Sequence, residues 1–141
     1  MSAELDAAVL ASLRNDATLA TLAPGGVYRD VAPEGVVDAA LNDAAEVFGV
    51  VTLQSSLAWH EFGGRALEEC RYLVKFVAPS TNASGAQAAL DRAEVILPTL
   101  SATGYAVTCS RREERLAFVE SDGPVRWQHR GVSWLVVAGA E

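Results

Sequence analysis

The chain has 141 residues, half of them apolar and 21% charged, with a net charge of −7. That length suits one domain with its own core, and the apolar content excludes a wholly disordered chain. The balance of 11 bases against 18 acids argues against a phosphate-gripping surface, which would be basic.

No uncharged run reaches the about 20 apolar residues that a membrane span needs. The opening Met1-Ser2-Ala3-Glu4-Leu5-Asp6 carries acids where a signal peptide carries bases. The chain therefore reads as cytosolic, with no membrane partner. Cys70 and Cys109 fall in no CxxC pattern and read as small buried side chains in a reducing compartment.

In chain order, Leu5, Val9, Leu10 and Leu13 recur at helical spacing, with Ser2 a plausible N-cap. Asp16 is placed to cap a second short helix holding Leu19 and Leu22, which Pro24-Gly25-Gly26 ends. Val27-Tyr28-Arg29 suits a short strand. The acidic, Ala-rich stretch from 30 to 46 reads as a flexible arm, with a weak helix over Val37 to Ala45 as the competing reading. Val47 to Gln54 is β-branched and aromatic, hence a strand, and a turn at Gly63-Gly64 follows. Cys70, Tyr72, Val74, Phe76 and Ala78 alternate with Arg71, Leu73, Lys75 and Val77, the pattern of a central strand.

Ser84 and Gln87 match a capping box ahead of the stripe Ala86, Ala89, Leu90, Ala93, Ile96 and Leu97. Strands are expected at Tyr105 to Ser110, Leu116 to Glu120 and Val125 to Val137, with turns at Arg111 to Arg115 and Ser121 to Pro124. The implied order is α-β-β-β-α-β-β-β. It gives an α+β fold with two helices packed on a mostly antiparallel sheet, a single domain over residues 1–141.

Catalytic patterns are missing from this sequence. His60 and His129 are far apart, without metal-ligand spacing, and read as surface or rim histidines. There is no GxSxG elbow and no GxxxxGK[ST] loop, so neither an enzyme nor a cofactor is expected. Glu68-Glu69 and Glu113-Glu114 read as solvated turns.

The one basic cluster is Arg111, Arg112 and Arg115, interrupted by Glu113 and Glu114. It is either a salt-bridged hairpin tip or a contact for phosphate or an acidic protein face. On the last strand, alternation sets Trp127 and His129 against Arg126, Gln128 and Arg130. Trp and Arg are favoured at interfaces, so Arg126, Trp127, Gln128, Arg130 and Trp134 form the candidate subunit or tail interface.

The order of these segments resembles the tail completion or tail terminator proteins of long-tailed phages, the head–tail joining or minor tail family that gene transfer agents also carry. The resemblance rests on Ala8 to Leu22 followed by Gly26 to Pro33, on Tyr72 to Ala78, on Ala86 to Leu97 with Asp91-Arg92, and on Arg112-Glu113, Phe118-Val119-Glu120 and Trp127 to Gly131. The segment Val36 to Glu46 departs from it.

The resemblance implies a non-enzymatic virion protein, assembled in the host cytoplasm and located at the head–tail junction. It implies a homo-oligomeric ring, a hexamer, that caps the tail tube protein and meets a head connector or head-closure protein. DNA would pass it without tight binding, past Arg111, Arg112 and Arg115 if these line a lumen. Two alternatives stay open: another small ring-forming neck or head-closure protein, and a small-molecule-binding α+β domain.

Overall fold

The computed structural model describes residues 2–42, 46–60 and 66–140. Their elements run α1 (Ser2–Arg14), α2 (Ala17–Leu22), β1 (Val27–Arg29), α3 (Glu34–Asn42), β2 (Phe48–His60), β3 (Ala66–Pro79), α4 (Ala83–Ile96), β4 (Tyr105–Asp122) and β5 (Val125–Ala140). The strands make one sheet in the order β1-β2-β3-β5-β4. Only the short β1 runs parallel to its neighbour β2; the other pairs are antiparallel. The α+β class and the mostly antiparallel sheet are as expected.

The expected element order and the two-helix packing are corrected in two places. Residues 34–42 of the expected arm form α3. Val36 and Val37 with Ala40 fall on one helical face and pack against Phe48, Val77 and Trp127. Gly35 and the scarcity of large apolar residues concealed that face in the sequence. The rest of the arm, at 43–45, lies outside the described residues, as does the turn expected at Gly63-Gly64.

The second correction is at Arg111 to Arg115, which form no turn. β4 runs unbroken from Tyr105 to Asp122, with register shifts between Val107 and Cys109 and between Arg112 and Glu114. A bulge absorbs an extra residue without ending the strand, so a charged run that looks like a hairpin tip is a continuous edge.

Smaller expectations divide. Asp16 does cap α2, accepting the Leu19 N–H at 2.8 Å. Ser2 already lies inside α1. Asn82, not Ser84, caps α4, accepting the Gly85 N–H at 3.2 Å. The turn before β5 falls between Asp122 and Val125, with Gly123 at φ 60°. Gly26 takes φ 91° after α2, and a Cβ at Gly25 would lie 2.9 Å from the Val47 carbonyl, so this glycine pair is the tight turn expected of it.

The helices α1, α2 and α4 cover one face of the sheet. Leu5, Val9 and Leu13 of α1 and Ala86, Ala89, Leu90 and Ala93 of α4 bury against Cys70, Tyr72, Val74, Phe76 and Ala78 of β3. All five of those strand residues are buried, as their alternation predicts. On the opposite face α3 covers only one end, over the smaller cluster Phe48, Val50, Val77 and Trp127. No described helix is long and apolar enough to cross a membrane.

Candidate functional site

Among the sequence-predicted interface residues, the two tryptophans are spent inside the subunit. Trp127 packs edge-to-face on Phe48, with ring centroids 6.1 Å apart, beneath α3. Trp134 faces the other way, into the main core, and its indole N–H donates to Ser110 Oγ at 2.8 Å, which in turn donates to the Leu97 carbonyl at 2.6 Å. Their positions on strand β5 differ by an odd number of residues, so they point to opposite faces. That corrects the grouping of Trp127 with Trp134 on one surface. Arg126 stays exposed, while Gln128 and Arg130 are half-buried.

Arg111, Arg112 and Arg115 do not converge either. Arg112 and Arg115 turn towards α4, where both reach Glu94; Arg115 does so with two bonds, at 2.9 and 2.5 Å, and Arg112 at 3.8 Å. Arg111 pairs in register with Leu135, on the opposite face of the sheet from Arg112. The cluster therefore splits: two arginines pin β4 to α4, and of the three only Arg111 has no acidic partner among the described residues.

The paired acids are strand residues, not turns. Glu68 is buried on β3 and accepts from Ser56 Oγ at 3.1 Å. Glu69 points the other way, to Arg71 at 2.9 Å and the Trp59 indole at 3.2 Å. Glu113 joins Arg71 at 2.9 Å. Sequence reading missed a buried polar network at the main core. Asp6, only 3% exposed, accepts the Tyr72 hydroxyl at 2.7 Å and forms an ion pair with Arg29 at 2.6 Å. Burial, and then Asp6 beside it, push the Tyr72 phenol well above its ordinary range. In the sequence Asp6 stands only as one of the acids of the opening segment.

His129 is the second miss. It was expected at the surface, yet it is 5% exposed, stacked on Phe118 with centroids 4.3 Å apart. Its Nε2 lies 3.2 Å from Glu120 Oε1. Burial first, then the Lys75 ammonium, lower its pKa, with Glu120 opposing. His129 lines a cavity of about 280 Å³ between α3 and the sheet, with Phe48, Val77 and Trp127 as apolar walls and Asp30, Glu120 and Asp122 at the edge. Asp30 turns the chain there at φ 63°, the left-handed region that Asp tolerates better than most residues. Among the described residues no three His, Cys, Asp or Glu side chains gather in a way that could hold a metal ion.

Two strand edges are open. Among the described residues β4 pairs only with β5 beyond a single bridge from Tyr105 to Ala102, and β2 beyond Val51 pairs only with β3, because β1 covers just Gly49 to Val51. Near the free end of β2, Leu57 and Trp59 are 49% and 53% exposed, and on β4 Phe118 and Val119 are 45% and 51% exposed. Apolar side chains beside an unpaired edge are the ingredients of strand-to-strand association.

No protein-family profile matches the chain, and no curated protein does. Its fold is shared with a chain in a solved structure described as the virion of a native gene transfer agent particle. The likeness has a TM-score of 0.64 and 20% identity, and covers 96% of each chain.

Proposed function

We propose that this chain is a structural subunit of a phage-like particle, and within it the tail terminator: a homo-oligomeric ring, a hexamer, at the head-proximal end of the tail, between the tail tube and the head connector. The observation that carries the reading is the fold shared end to end with a protein of a gene transfer agent virion. The open edges of the sheet supply the physical means. β4 and the outer part of β2 lie at opposite sides of the sheet, so a contact between them joins unlike surfaces of neighbouring copies. Such head-to-tail contacts close into rings when the rotation allows.

The charge fits the same role. With a net charge of −7 per copy, a ring would repel DNA at short range, within a Debye length of about 8 Å at physiological salt, and DNA would pass without being gripped. Arg126 and Arg111, exposed on β5 and β4, are the residues of the expected interface and basic cluster left for contacts between copies or with the tail. The test is electron microscopy of particles made without this chain. The reading expects tails of uncontrolled length that fail to join heads. Tails of normal length attached to filled heads would overturn it.

A further inference from the structure

The cavity beneath α3 combines apolar walls with an excess of negative charge. Asp30, Glu120 and Asp122 border it, against a single ammonium, that of Lys75. Lys75 is held over the Phe118 ring, 5.9 Å from its centroid. Arg29 comes no nearer to Asp30 than 3.8 Å, since its closer partner is Asp6 at 2.6 Å. The carboxylates at the mouth are thus under-neutralised.

His129 adds a second requirement. Glu120 can only accept from Nε2, so Nε2 carries the proton and Nδ1 keeps a lone pair. Nδ1 is buried without a hydrogen-bond partner among the described residues, on a side chain 7% exposed. Buried acceptors are nearly always paired in folded proteins, so this site lacks a donor.

At about 280 Å³ the cavity falls below the range of about 300–1,000 Å³ typical of small-molecule pockets. One long side chain matches its scale. The occupant needs an apolar stem for Phe48, Val77 and Trp127, a positive charge for the carboxylates, and several N–H donors. A guanidinium meets all three needs, with a fork of donors and a flat face that stacks on aromatic rings.

We propose that this cavity seats an arginine side chain presented by a different protein of the assembly. A second copy of this chain is the poorer source, because Arg71, Arg92, Arg112 and Arg115 already serve its own acids: Arg71 pairs with Glu69 and Glu113, Arg92 with Asp16, and Arg112 and Arg115 with Glu94. The net charge of −7 also makes a basic partner the better electrostatic match for this acidic mouth. The partner's place in an assembly rests on the function proposed above, whereas the cavity's affinity for arginine is read on the isolated subunit.

The experiment titrates the full ¹⁵N-labelled chain with Nα-acetyl-arginine amide, using the citrulline analogue as the neutral isostere. Saturable shifts are expected at the Trp127 indole and the His129 imidazole nitrogens, with the Trp59 and Trp134 indoles unmoved. Citrulline should bind about tenfold more weakly, given the strength of charge-assisted bonds. A Glu120→Gln, Asp122→Asn double variant should weaken arginine binding by about tenfold as well. Both of those side chains lie on the exposed rim, so the variant keeps its core. Equal shifts with citrulline, or no shift at His129, would overturn the proposal. Movement of the same resonances on raising the protein concentration, reversed by excess Nα-acetyl-arginine amide, would make a second copy the donor and would overturn its assignment to a different protein.

Discussion

One face of the sheet is a closed core and the other is a surface only partly covered. On the first, three helices bury Leu5, Leu13, Leu90 and Phe76 almost completely against the sheet. On the second, α3 covers Phe48, Val50, Val77 and Trp127, and beyond it Arg71, Glu69 and Glu113 hold one another across the strands while Leu57 and Trp59 stand exposed. Burial is what stabilises a fold, so the first face carries stability. Apolar side chains left beside open strand edges add little to the lone subunit and become useful only against another chain. The contrast places stability on one face and, under the function proposed above, leaves the other for assembly.

Core truncation on the closed face should have the largest effect. Phe76→Ala or Leu90→Ala is expected to cost about 3–5 kcal/mol, read by urea denaturation, since neither site has room to collapse around the void. Leu57→Ala and Trp59→Ala, on the open face, should stay within about 0.5 kcal/mol of the parent while weakening self-association in light scattering. Equal destabilisation at both faces would break the comparison.

The next effect sits where the closed face hides a charge. Asp6→Ala leaves the buried Tyr72 hydroxyl unsatisfied and strips the half-exposed Arg29 of its partner, and should cost about 2 kcal/mol. Tyr72→Phe removes one bond and leaves the ion pair, so about 1 kcal/mol is expected. A reversed ranking in thermal unfolding would mean that the hydroxyl, not the carboxylate, organises the network.

Much of the closed face was legible because it obeys simple periods. Leu5, Val9 and Leu13 repeat as a helix does, and Cys70 to Ala78 alternate as a strand does. Asp16 was legible as a cap because the chemistry is local. The open face was not, because its signals depend on partners distant in sequence. α3 is helical through Val36, Val37 and Ala40 meeting Trp127; on the closed face too, Arg112 and Arg115 are strand residues because bulges and the distant Glu94 accommodate them. The alternation of Trp127 with Arg126 was legible, and the helix was there only as the competing reading over Val37 to Ala45, which α3 bears out in part; nothing local in the sequence tied it to the tryptophan.

A smaller effect is expected from pH at the covered end of the open face. Burial and Lys75 lower the His129 pKa, and Glu120 only partly offsets them. The unfolded chain, with an ordinary histidine near 6.5, therefore binds protons that the fold resists. Stability contributed by neutral His129 is present above about pH 6.5 and is lost as pH falls through the lower folded value. Denaturation midpoints should drop across that window. His129→Gln should flatten the profile there; an unchanged slope would show that another group sets it.

The smallest change in stability should come from Arg115→Ala, which removes an exposed pair with Glu94. Denaturation should barely move. Arg111→Ala should also leave the fold intact, and it alone of the two should alter contacts between subunits or with the tail, because Arg115 is committed to α4 and Arg111 is not. Matched losses of assembly from both variants would return the two arginines to a single functional cluster.

The division of labour between the faces is tested most directly by native mass measurement of the intact chain, alone over a concentration series and then with purified tail tubes. The account predicts a closed ring of fixed copy number, a hexamer, formed at high concentration or on meeting the tube, and lost when a proline is placed in the open edge of β4 at Val119. A chain that remains a monomer at every concentration and leaves tail tubes unbound would contradict it.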